Sequence, residues 1–110
     1  MSEQLVRPHR INSRPTPADP EAVFRVLENP RCRALLSCLD DAALTVGELA
    51  DCSDLPRSTL YRYLDRLVDA SLVEESVRID ASGHYPSQYT RVVSDVSITL
   101  DGSGCSISLR

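Results

Sequence analysis

At 110 residues, 42% of them hydrophobic, the chain has the makings of one domain around a single modest core. No stretch approaches the ~20 consecutive apolar residues of a membrane helix, and the first twenty residues are polar and proline-rich without the apolar core of a signal peptide, so the expected location is the cytoplasm. The charge is unusual, because all twelve basic residues are Arg, Asp outnumbers Glu and the formal net charge is −4.

In chain order, residues 1–18 read as a flexible arm that carries Arg7, Arg10 and Arg14 together with Pro8, Pro15 and Pro17. Asp19-Pro20 is a helix start, a capping side chain followed by a proline at the first helical position. Val23, Phe24, Val26 and Leu27 form that helix's apolar face. Asn29-Pro30 repeats the signal and predicts a second helix over 30–39, with Leu35, Leu36 and Leu39 inward. Thr45 and Glu48 have capping-box spacing and open a third helix, which ends near Asp51-Cys52-Ser53. A short turn leads to Pro56 and a fourth helix reaching about residue 71. Leu60, Leu64, Leu67 and Val68 lie on one of its stripes; Ser58, Arg62, Asp65, Arg66 and Asp69 lie opposite, with Thr59 and Tyr61 on the flanks.

The period then changes to two. Residues 72–80 and 85–93 read as strands around the turn Asp80-Ala81-Ser82-Gly83-His84. A second hairpin follows, with Val96, Ile98 and Leu100 alternating before Asp101-Gly102-Ser103-Gly104, and Cys105, Ile107 and Leu109 after it. The expected fold is α+β, a winged helix-turn-helix with four helices, a wing hairpin and a C-terminal β-hairpin. It divides into an arm (1–18), a winged helix-turn-helix domain (19–94) and a hairpin extension (95–110).

Cys32, Cys38, Cys52 and Cys105 contain no C-x-x-C pair, and His9 and His84 are the only histidines. A zinc site would have to be assembled from scattered residues. No metal or other cofactor is expected, and the thiols are expected to be reduced and buried.

Four runs carry a resemblance: Asn29-Pro30-Arg31-Cys32-Arg33-Ala34-Leu35-Leu36; Leu44-Thr45-Val46-Gly47-Glu48-Leu49-Ala50; Leu55-Pro56-Arg57-Ser58-Thr59-Leu60-Tyr61-Arg62-Tyr63-Leu64; and Leu67-Val68-Asp69-Ala70-Ser71-Leu72-Val73. In order and spacing they resemble the winged helix-turn-helix repressors of the ArsR type, in the metal-independent form common among haloarchaeal regulators. Ser71 stands where such proteins usually carry Gly for a left-handed helix end. Metal-sensing members place two Cys in the third helix. Here Cys52 matches and Ala50 replaces the partner, so metal sensing is not carried over.

The resemblance implies a sequence-specific regulator of transcription, expected to be a repressor, bound to double-stranded DNA. Ser58, Thr59, Tyr61 and Arg62 match the positions that touch DNA in similar proteins, with Arg62 suited to a bidentate guanine contact. Arg57 and Arg66 are placed for phosphates. Arg78 and His84 belong to a wing that either touches the minor groove or backbone or is a plain exposed hairpin. His84 reads more simply as a turn residue than as a ligand or switch. The arm is either a plain tail or a further DNA contact. Tyr63 and Tyr89 are expected to belong to the core, packed between recognition helix and wing. A homodimer is expected, formed through the first helix or the C-terminal hairpin, because one short helix reads few base pairs.

Net negative charge argues against a nucleic-acid partner. An acidic, lysine-free surface also suits a cytoplasm at molar salt, although a GC-rich genome gives the same Arg bias. At ~1 M salt the Debye length is about 3 Å, and local Arg contacts outweigh net charge. Two other classes stand beside DNA binding. One is a winged helix used as a protein–protein adaptor. The other is a thiol-based redox or metal sensor, which requires two Cys within disulfide range; Cys32 and Cys38, on different faces of one helix, do not meet unaided. No catalytic triad, phosphate loop or H-x-E with paired Cys suggests an enzyme.

Overall fold

Each of the first three helices starts where a side-chain oxygen meets free backbone amides, in a computed structural model that describes residues 16–110. Helix α1 (Pro20–Leu27) is capped by Asp19, whose Oδ1 accepts the Glu21 amide at 3.1 Å. Helix α2 (Pro30–Cys38) is capped by Asn29, which accepts the amides of Arg31 and Cys32 at 2.9 and 3.4 Å. At α3 (Val46–Ser53), Thr45 accepts the Glu48 amide at 3.2 Å while Glu48 accepts the Thr45 amide at 2.9 Å, so two otherwise unpartnered amides are satisfied reciprocally. Helix α4 (Arg57–Asp69) differs: Pro56 precedes it and no side chain caps it.

Between α3 and α4 the chain reverses through Asp54, left-handed at φ 65°, whose amide donates to the Ala50 carbonyl at 2.9 Å. Helix α4 ends in a second left-handed residue, Ser71 at φ 66°. The Leu72 amide reaches back to the Leu67 carbonyl at 3.1 Å and the Ser71 amide to Val68 at 2.9 Å, the two bonds of a Schellman end. Buried Leu72 then leads straight into the wing.

The strands make two three-stranded antiparallel sheets. In the wing sheet, β2 (Leu44–Thr45), β4 (Ser87–Arg91) and β3 (Val73–Val77) lie in the order β2-β4-β3, with Leu44 opposite Tyr89 and Glu75 opposite Tyr89. In the other, β1 (Thr16–Ala18) pairs β6 (Gly104–Leu109), which pairs β5 (Val96–Asp101). The flexible-arm expectation is thereby corrected at residues 16–18, which gain a strand because β6 offers them a free edge. Arg7, Arg10 and Arg14 lie outside the described residues.

One core joins the elements. Leu60, Tyr63, Leu64 and Leu67 from α4 meet Val46 and Leu49 from α3, Cys32 and Leu35 from α2, and Val23 and Val26 from α1. Leu72, Val73 and Tyr89 enter from the wing, and Ile107 and Leu109 from β6. Burying each large aliphatic side chain stabilises the fold by roughly 1.5–3 kcal/mol before entropy is counted.

The cysteine expectation needs correction. Cys32 is a buried free thiol and Cys105 an exposed one. Cys38, the last residue of α2, and Cys52, near the end of α3, are joined by a disulfide with Cα atoms 6.1 Å apart. No spacing motif marks residues 14 apart on two helices; the packing of α2 on α3 brings them together. Among the described residues no three His, Cys, Asp or Glu gather to hold a metal ion, and no helix is long and apolar enough to cross a membrane.

Candidate nucleic-acid interface

The α3-turn-α4 unit presents the exposed side of α4. Leucines at 60, 64 and 67 hold its back in the core at 0% exposure. Arg57, Ser58, Tyr61, Arg62, Asp65, Arg66 and Asp69 are exposed, and Thr59 is half-buried. With 3.6 residues per turn, Arg62 and Arg66 fall on one flank and Arg57, Tyr61 and Asp65 on the other, with Ser58 and Asp69 between.

The first flank is cationic and faces the start of α2. The Tyr63 ring is 6% exposed. The Arg62 guanidinium carbon lies 5.1 Å from its centroid and that of Arg66 lies 5.5 Å away, both within cation–π range. Arg31 Nη1 donates to the Tyr63 hydroxyl at 3.5 Å. Hydrogen bonds from Arg31 first, then from Arg62 and Asn29, hold that hydroxyl down at about 8. Burial raises the nearby Cys32 thiol, against the opposing charge of Arg66. Three guanidinium groups thus gather around one aromatic ring. None of Arg31, Arg57, Arg62 and Arg66 forms an ion pair among the described residues.

Sequence reasoning missed Arg31. Its only signal was a position two residues after the Asn29 cap; that α2 begins beside α4 is a tertiary fact. Tyr63 belongs to the core as expected, but its direction differs from the expected one. It faces α2 and not the wing, because residue 63 falls on the side of α4 away from Tyr61.

The second flank borders a groove of about 540 Å³ between α4 and the wing, lined by Thr45, Val46, Gly47, Arg57, Tyr61, Asp65, Glu75, Pro86, Ser87 and Tyr89. Gly47 lets Arg57 lie close to α3, since a Cβ there would stand 3.1 Å from Arg57 Nη2. Tyr89 does sit between α4 and the wing. Burial first, then the charges of Glu75 and Asp65, push its hydroxyl up to about 12. This flank is therefore mixed in sign.

The wing's arginines are internal struts. Arg78 donates to Glu48 Oε1 at 3.0 Å and Oε2 at 3.1 Å, to Gln88 at 3.0 Å and to the Ala43 carbonyl at 2.9 Å. Arg91 meets Asp40 at 2.7 Å and so ties β4 to the end of α2. His84 lies in the exposed wing turn, its Nδ1 2.7 Å from Ser82 Oγ. The structure thus places Arg57, Ser58, Tyr61, Arg62 and Arg66 on one exposed helix side, sets Arg78 just past the turn-side end of β3, where its side chain reaches back to Glu48, and leaves His84 in the wing turn.

Residues 27–76 match the family model of a helix-turn-helix domain. The match spans α2 through most of β3 and supports a DNA-binding regulator of the helix-turn-helix type. No curated protein matches the sequence.

Proposed function

We propose that this chain is a sequence-specific, double-stranded-DNA-binding repressor of the ArsR-like kind without a metal site, acting as a homodimer in the cytoplasm of a salt-adapted archaeon. The observation that carries the reading is the cationic flank of α4, where Arg31, Arg62 and Arg66 surround Tyr63 without carboxylate partners among the described residues. Guanidinium groups held on a convex helix side suit the phosphates bordering a major groove.

In this reading Ser58 and Arg62 reach base edges with Tyr61 beside them, while half-buried Thr59 supports the helix start. Arg31, Arg57 and Arg66 contact phosphates, joined by the uncapped amides at the start of α4. Arg78 acts by positioning the wing, and His84 brings the wing tip to the backbone. The chain ahead of the β1 strand supplies a further DNA contact to the DNA-reading unit of 19–94. The second copy joins through α1 or the 95–110 hairpin; exposed Ile98 (53%) and Leu100 (76%) on the edge strand β5 support the hairpin.

Asp65 and Glu75 in the groove beside α4 favour a second reading, a protein–protein adaptor. Fluorescence anisotropy with duplexes recovered by in vitro selection, repeated over a range of KCl, separates the two. Selective binding that weakens log-linearly with salt supports the repressor. Absence of any selected sequence at every salt concentration sinks it.

A further inference from the structure

We propose that Cys38 and Cys52 form a reversible thiol–disulfide site that sets how firmly the turn before α4 is held; its effect on DNA rests on the reading above, its chemistry does not. Cys52 is exposed and Cys38 half-buried, so Cys52 is the half of the pair that faces solvent. Packing of α2 on α3 does not need the bond, because Leu35, Leu39 and Leu49 are buried in the shared core. The domain therefore has apolar anchorage in either redox state.

What the bond adds lies just downstream. Ser53 Oγ donates to the Leu49 carbonyl at 2.6 Å and accepts the Leu55 amide at 3.3 Å. The left-handed Asp54 hangs on one bond to Ala50. These are single hydrogen bonds at the exposed end of an eight-residue helix, the kind of place that opens locally. Joining Cys52 to α2 fixes the last turn of α3 and with it the start of α4. The reduced form must order that turn on binding, which costs affinity.

With hydrogen peroxide as oxidant, the Cys52 thiolate attacks the O–O bond, giving a sulfenic acid and, after protonation, one water. The Cys38 thiol then attacks that sulfur, forming the disulfide and releasing the second water. The two thiols lose two electrons and two protons, and the peroxide is reduced to two waters. A dithiol reductant reverses the step. Its thiolate attacks Cys52 to form a mixed disulfide, and Cys38 leaves as a thiolate and takes a proton; the second thiolate of the reductant then attacks that mixed disulfide, closing the reductant's own disulfide and releasing Cys52 as a thiolate that takes a proton.

The full chain, treated with peroxide or with dithiothreitol, is followed by thiol alkylation, by amide hydrogen exchange over 53–57 and by anisotropy with the selected duplex. Reduction is expected to speed exchange there and to weaken DNA binding roughly three- to tenfold. Cys38→Ser and Cys52→Ser stay in the reduced behaviour under peroxide, whereas Cys105→Ser switches like the parent. Equal exchange and equal affinity in both states, with alkylation showing that the bond opened and closed, overturns the proposal; so does a bond that peroxide cannot re-form. If neither state binds DNA, the DNA reading fails and hydrogen exchange alone decides the switch, a difference upholding it and none overturning it.

Discussion

Arg31 Nη1 lies 3.5 Å from the hydroxyl of Tyr63, across 32 residues of sequence, and so joins the start of α2 to the exposed flank of α4. The contact makes a titratable group part of the cationic surface. Arg31, followed by Arg62 and Asn29, holds the Tyr63 hydroxyl down at about 8, so the phenolate prevails only above that pH.

DNA affinity is therefore expected to fall as pH rises from 7 to 9. The phenolate, favoured above about 8, sets a negative charge among the guanidinium groups that would meet phosphate. Tyr63→Phe should remove the step. Absorbance near 295 nm titrates the phenol directly, and burial leaves Tyr89 to ionise much later, at about 12. An unchanged pH profile in Tyr63→Phe would show that the group is not part of the interface.

Arg31→Ala and Arg62→Ala should weaken binding in different ways. Loss of a phosphate contact at Arg31 lowers affinity about equally for all sequences and reduces the salt slope by about 1. Loss of a base contact at Arg62 costs about 1–3 kcal/mol at one position of the site and relaxes preference there. Salt titrations against selected and randomised duplexes distinguish the two.

The Glu48 carboxylate has two tasks, capping α3 and pairing with Arg78, and the Arg78 hydrogen bond first, then the Thr45 amide, holds its carboxyl below the ordinary value of 4.5. A group whose folded value is lowered contributes stability above the unfolded value and loses it as pH falls through the folded one. Acid titration from pH 6 should therefore lower the melting midpoint below about 4.5, and Glu48→Gln should flatten that limb. Thr45→Ala, which removes the other half of the cap, should cost about 1 kcal/mol at any pH. Calorimetry over pH 3–7 checks both.

Ser71 holds φ 66° without being Gly. A side chain in the left-handed region costs roughly 1 kcal/mol that glycine avoids, so Ser71→Gly should stabilise the fold by about that much. The midpoint should rise by roughly 4–8 °C. A fall on thermal melting would mean that Ser71 makes a compensating contact.

The local code of the helices was legible in the chain. Asp19-Pro20, Asn29-Pro30 and the Thr45/Glu48 box mark starts because capping needs only residues within three positions of one another. The leucine stripe of α4 and the alternating hairpins follow from fixed periods of 3.6 and 2. The strand at 16–18 was not legible, since a three-residue strand has no pattern of its own until β6 presents an edge. Asn29-Pro30 announced a helix but not that α2 would begin against α4, and so the cluster of Arg31, Arg62 and Arg66 around Tyr63 escaped. The Cys38–Cys52 bond, the Arg78–Glu48 strut and the Arg91–Asp40 strut escaped for the same reason. Sequence alone determined the four helices and the two hairpins and which side of each is apolar, because those depend on near neighbours; the short strands at 16–18 and 44–45 depend on partners distant in sequence. The tertiary structure decided which exposed groups share a surface, because buried leucines fix how the helices pack and the charged side chains take the partners that packing leaves within reach.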